Sequence, residues 1–317
     1  MTRWRLCQRL AAWGIGTVAI LFFLQRVVAN ASAMPHIAWD ARAFVAAAAT
    51  VGLALASIYL GATAWWLLVI DQGIRRPWRR LVSLFTISQF GKYLPGNVGQ
   101  FVGRVVMARG VDIPVPATLA TLVTETLWNV GTGLGVSALA AYAFLDGRAP
   151  WWPRGLDGAW LCALFVALLA IPWLGIAGTR HLPPRLLNRF PAAAHLRPPT
   201  FGVAARVSLL FLANYGCMGG ALCMQAAAFF GAPAIPWLEA AGFCAIAWLA
   251  GYLLPGAPAG LGVREGVLLA LLAPTTGEST AIALGITLRL GATIADIMAF
   301  AAGWLMRHLD NRQHKRG

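Results

Sequence analysis

Long apolar runs alternate along this chain with short polar segments. Six runs, at about 10–28, 44–70, 116–145, 160–176, 207–230 and 280–305, are uninterrupted. Each reaches or exceeds the roughly 17 residues that an α-helix needs at the least to cross hydrocarbon. Two more apolar segments, 81–107 and 238–272, are broken at Leu94-Pro95-Gly96-Asn97 and Leu254-Pro255-Gly256. Each half is too short to span a core about 30 Å thick. The pattern predicts an all-α, polytopic membrane protein with about six full crossings and two broken, re-entrant hairpins. The first run follows Arg3, Arg5 and Arg9 and precedes the small residues Ala31-Ser32-Ala33. That cleavage-like site lies well past the run, with Arg26 between, so the run reads as an uncleaved span rather than a signal peptide.

Composition narrows the picture. Apolar residues make up 59% of the 317 and charged ones 11%, against about 25% charged in a soluble domain. So few charges cannot cover a soluble globule, which excludes a cytosolic enzyme, a secreted disulfide scaffold and a disordered tail. The net charge of +14 serves topology rather than nucleic acid. Basic residues sit in short loops: 17 on one side of the expected membrane, against Arg26, Arg42, Arg148 and Arg154 on the other. The positive-inside rule then puts both termini in the cytoplasm, and makes each broken segment enter and leave on one side. Four of the five cysteines lie in apolar runs and none forms a CxxC pair, so no disulfide framework or metal site is expected.

The broken segments resemble each other. Gly91–Arg104 and Gly251–Arg264, aligned without gaps at an offset of 160, share Gly, Leu, Pro, Gly and a final Arg, five identities in fourteen positions. Each half of the chain reads span, span, broken segment, span, and the second half starts from the opposite side. This is the plan of an inverted-topology repeat. One transmembrane domain is expected over 1–317, with repeats at 1–146 (hairpin about 81–107) and 157–306 (hairpin about 238–272), and a basic cytoplasmic tail at 307–317. Proline ends the incoming half-helix and glycine permits the reversal. The free N–H groups of the returning half-helix favour an anion, and Arg104 and Arg264 lie about two turns further on.

Ionisable residues inside a membrane are costly and usually functional. Here they are Lys92, Arg104, Glu125, Arg264, Glu265, Arg289 and Asp296, four positive and three negative. Glu125 and Arg289 lie at similar depths in equivalent spans. Arg289 and Asp296, seven apart, share a helix face. Lys92 and Glu265 can also reach an interface by snorkelling. The excess of positive charge suits a phosphate-bearing substrate, with the acids pairing the arginines when no lipid is bound. With Pro95, Gly96, Asn97, Pro255, Gly256 and Gly260 at the breaks, these residues form the expected transport site. The bland alternative is an ion-pair network that only staples helices. Catalysis is not expected: all five histidines fall in loops or the tail. HExxH, GxSxG and Walker A motifs are absent, and so is any cofactor motif.

Gly91-Lys92-Tyr93-Leu94-Pro95-Gly96, followed by Gly103-Arg104, resembles the first signature of the flippase-like family named for the transmembrane region of lysylphosphatidylglycerol synthase. The run Leu254–Arg264 with Glu265, rich in Pro and Gly and ending Gly-Val-Arg-Glu, resembles its second and more specific signature. Ala259 stands where that family usually has the first of two glycines. The resemblance covers nearly the whole chain. It implies transfer of a lipid between leaflets of a bacterial inner membrane, by a stand-alone member without the synthase domain. The lipid implied is a phospholipid, a polyprenyl-phosphate sugar or another glycolipid. The protein partner to expect is a second copy or a lipid-synthesis enzyme. The competing expectations are an ion-coupled carrier of a small anion and a non-catalytic membrane partner of a lipid-modifying or glycan-assembly enzyme.

Overall fold

The computed structural model describes residues 17–18, 20–94, 98–145, 158–178, 196–254 and 257–314. The start of the first expected span, and the breaks at Pro95, Gly96, Asn97, Pro255 and Gly256, lie outside these residues. Every described element is helical. In chain order they are α1 (Ile20–Ala29), α2 (Ala41–Asp71), α3 (Trp78–Gln89), α4 (Gly99–Arg109), α5 (Val115–Leu145), α6 (Gly158–Gly178), α7 (Phe201–Phe230), α8 (Trp237–Leu253), α9 (Val263–Thr276) and α10 (Glu278–His314).

Three helices, Ala41–Asp71, Phe201–Phe230 and Glu278–Asp310, are long and apolar enough to cross a membrane. Helix α5 matches α2 in length but carries Glu125, Asn129 and five threonines, which lower its hydropathy. Thr118, Thr121, Thr124 and Thr132 are buried, so this polarity faces protein. Helix α10 continues to His314, through most of the expected tail. Beyond Leu305 its side chains, apart from Met306 and Leu309, are charged or polar, and the helix satisfies its own backbone while they take water.

Helices α2 and α7 pack along much of their length. At one end Asp71 accepts hydrogen bonds from the backbone N–H and hydroxyl of Thr200, at 3.0 and 2.8 Å. At the other, Phe229 meets Ala43, Ala46 and Trp39. The two therefore run antiparallel. Small residues permit the close approaches that membrane helices depend on. A Cβ on Gly219 of α7 would lie 2.6 Å from the backbone nitrogen of Ala241 in α8.

Each broken segment is two short helices packed together, α3 on α4 and α8 on α9. With 12 and 11 residues, α3 and α4 span about 18 and 16 Å. The ends of the first segment meet: Arg76 donates from Nε to the carbonyl of Val111 at 2.9 Å. Both incoming helices stop for the same reason. Leu94 and Leu254, each before a proline, are extended at φ −73°, ψ 147° and φ −79°, ψ 110°, because the proline ring clashes with a helical predecessor. Helix α10 packs against α3, and α5 against α8, so each segment is braced by a long helix from the other half of the chain.

Candidate functional site

After α3 the chain tightens into a 3-10 turn, Phe90–Tyr93. Gly91 brings this turn down onto the start of α4, where a Cβ would sit 2.6 Å from the backbone nitrogen of Gln100. Phe90 packs on Phe300 of α10, with ring centroids 5.1 Å apart. The turn thus presents Lys92 and Tyr93 to α10. Lys92 Nζ lies 2.7 Å from Asp296 Oδ1, and Tyr93 donates its hydroxyl to Asp296 Oδ2 at 2.6 Å. Both oxygens of Asp296 are engaged. The buried carboxylate of Asp296 holds Lys92 inward.

Arg104 projects from α4 and is 2% exposed. Its guanidinium lies over the Phe85 ring at 4.0 Å and the Trp65 ring at 5.0 Å, and its Nη1 meets Glu125 Oε2 at 2.5 Å. Two aromatic faces and one carboxylate hold this cation in place.

The second turn, Pro258–Gly260, has left-handed backbone at Ala259 (φ 50°) and Gly260 (φ 71°). Glu265 stabilises it. Its Oε2 accepts the backbone N–H of Gly262 at 2.8 Å, closing the start of α9. Its Oε1 lies 3.4 Å from Nη1 of Arg289, which also donates to the carbonyl of Ala259 at 3.0 Å. Glu265 is therefore held inside the protein, and its partner is Arg289 rather than Arg264. Neighbouring residues on a helix point about 100° apart, and Glu265 points back over its own helix start. Arg289 and Asp296 share a face of α10 and reach different turns, so α10 ties down both.

The three acids thus take Arg104, Arg289 and Lys92. Arg264 is left over, and it is the single excess charge that counting gives. Among the described residues it forms no ion pair, and its Nε is buried without a hydrogen-bond partner. The side chain runs between two glycines. A Cβ on Gly251 would come within 2.6 Å of its Cγ, and one on Gly260 within 2.7 Å of its Nε. Gly260 is needed for its positive φ and for this contact.

Arg264 borders two cavities. One, of about 120 Å³, runs along apolar side chains such as Met218, Ala221, Ala247 and Leu268. The other, of about 200 Å³, is polar and also lined by Gln89, Lys92, Gln100, Glu125, Asn129, Asn214 and Asp296. The 3-10 turns of the two motifs touch beside it. The sequence alone assigned no site role to Phe85 or the four amides, named Tyr93 only within its motif, and suggested an interfacial place for Trp65, which is instead fully buried. Asn129, one turn after Glu125 on the same face, was the readable signal. Asn214 was another, as an amide deep in an apolar span.

Fold and site together define a polytopic helical membrane protein with a charged centre built where two broken segments meet. Residues 10–299 match the family described as the lysylphosphatidylglycerol synthase TM region, and the chain belongs to that family. No curated protein matches it in sequence.

Proposed function

We propose that this chain is a transbilayer lipid transporter of the bacterial inner membrane, moving a phosphate-bearing lipid between leaflets without covalent chemistry. The observation that carries the reading is Arg264, an uncompensated guanidinium where a polar cavity meets an apolar one. A phosphate at that junction would place its headgroup in the polar cavity and its chains along the apolar one. Arginine suits the seat because its fork grips a phosphate at two points and stays charged when desolvated. The family supports a link to lipid.

The same reading takes the two halves as inverted repeats with re-entrant hairpins. Supporting it are the shared motif, the short paired helices, and the reciprocal bracing of α3 by α10 and of α8 by α5. It also accounts for the free charge. At the offset of 160 that aligns the two arginines, the position matching Glu125 is Gly285. The second half lacks the acid that neutralises Arg104 in the first. Arg104 is then a closed counterpart, and Arg264 the working site.

Reconstitution into vesicles with labelled phospholipids and polyprenyl-phosphate sugars tests the function. Protein-dependent movement of at least one is expected. Movement of none would sink the transporter reading and leave a membrane partner of a lipid-modifying enzyme. Topology is tested by cysteine labelling in a cysteine-free background. Asp112→Cys is expected to react only from the cytoplasm and Ala234→Cys only from outside. Full reaction of Asn97→Cys from outside would mean that the first hairpin crosses completely.

A further inference from the structure

The charged groups that line the polar cavity are Lys92, Glu125, Arg264 and Asp296. Both carboxylates are committed, Glu125 to Arg104 and Asp296 to Lys92 and Tyr93. A cationic headgroup entering here would find no free acid, and would lose its hydration beside the unpaired Arg264, with only the rings of Phe85, Phe211, Trp248 and Tyr252 in the wall to attract it.

The rest of the polar lining is neutral. Among the described residues, Gln89 and Gln100 have no side-chain hydrogen-bond partner, although Gln100 is 8% exposed. Asn129 accepts from the Tyr215 hydroxyl at 3.0 Å through Oδ1, and Asn214 accepts from the Ser57 hydroxyl. Each keeps its amide NH₂ unspent. These four amides come from α3, α4, α5 and α7, and they converge on one space beside Arg264. At about 200 Å³ that space far exceeds the ~15 Å³ that admits one water. Free amide donors and acceptors, with no spare carboxylate, complement hydroxyl groups.

We infer that the polar cavity accepts an uncharged, hydroxyl-rich headgroup attached through the phosphate held by Arg264, and discriminates against a cationic headgroup. This rests on the phosphate seat proposed above. It sets the chain apart from a carrier of aminoacylated, positively charged phospholipid. A free carboxylate in the headgroup space would serve such a substrate best, and here Arg104 and Lys92, both of the first motif, have taken the two that line it.

The test is equilibrium binding of short-chain lipids to the purified full-length protein in detergent. The probes are phosphatidylinositol (a polyol on a phosphate), phosphatidic acid (a phosphate alone) and lysylphosphatidylglycerol (a cation). Phosphatidylinositol is expected to bind at least tenfold more tightly than lysylphosphatidylglycerol. The double variant Asn129→Leu/Asn214→Leu is expected to bring phosphatidylinositol down to the level of phosphatidic acid. If it does not fold, Gln89→Leu/Gln100→Leu serves the same purpose. Arg264→Ala is expected to lose phosphatidylinositol and phosphatidic acid alike. Lysylphosphatidylglycerol binding as tightly as phosphatidylinositol, with both still dependent on Arg264, would overturn the headgroup inference and leave the phosphate seat standing. Unchanged phosphatidylinositol affinity in the folded amide variants would do the same. Failure of every phosphate lipid to bind the wild type would remove the seat and this inference with it.

Discussion

Arg264→Ala is expected to reduce lipid transport about 10- to 100-fold at limiting substrate. A hydrogen bond to a charged group contributes about 1.5–3 kcal/mol, and each 1.4 kcal/mol is a factor of about ten in affinity. The variant should fold, because Arg264 has no ion-pair partner to strand. Among the described residues its guanidinium stabilises nothing through a salt bridge, and its removal leaves space between Gly251 and Gly260 that joins existing cavities. Arg264→Lys keeps the charge and loses the fork, so an intermediate rate is expected. The measurement is initial transport rate in vesicles at matched protein content, with thermal unfolding as a check on folding. A folded Ala variant that transports at the wild-type rate would make Arg264 structural and end the proposed mechanism.

The largest loss of stability is expected from Glu125→Ala. It strands the Arg104 guanidinium between Trp65 and Phe85, with its Nε already lacking a partner. Removing one member of a buried ion pair costs about 3–5 kcal/mol, because the remaining charge is left uncompensated. Replacing both members by apolar residues is often neutral, so Arg104→Met/Glu125→Met should recover most of the loss. Unfolding curves of the single and double variants in detergent check this. Transport by the recovered double variant should stay near wild type, since the phosphate seat is Arg264. A tenfold drop there would return Arg104 to the lipid path, the equal role that motif spacing alone implies for it.

Much of this protein was legible in its sequence. The apolar runs located most ends of the long helices to within a few residues, because hydrocarbon demands unbroken apolar length and a helix satisfies its own backbone hydrogen bonds there; α7 starts six residues earlier, and α10 ends nine residues later, than its run. The two breaks were legible because proline excludes helix from the residue before it, and Leu94 and Leu254 are extended for that reason. The composition of the charged centre could also be counted: four cations, three acids, one positive in excess.

Which cation is in excess could not be counted. Arg104 and Arg264 occupy equivalent places in matching motifs, and Glu265, the acid nearest Arg264 in sequence, turns instead to Gly262 and Arg289. Asp296 lies on α10, some 200 residues from Lys92, and pairs with it because α10 packs against the broken segment of the other half. Pairing inside a membrane is decided by which side chains face each other across packed helices. That depends on helix rotation and crossing, which no one-dimensional spacing encodes. The cavity amides follow the same rule: Gln89, Gln100, Asn129 and Asn214 lie scattered over four helices, and only tertiary packing aims them at one space.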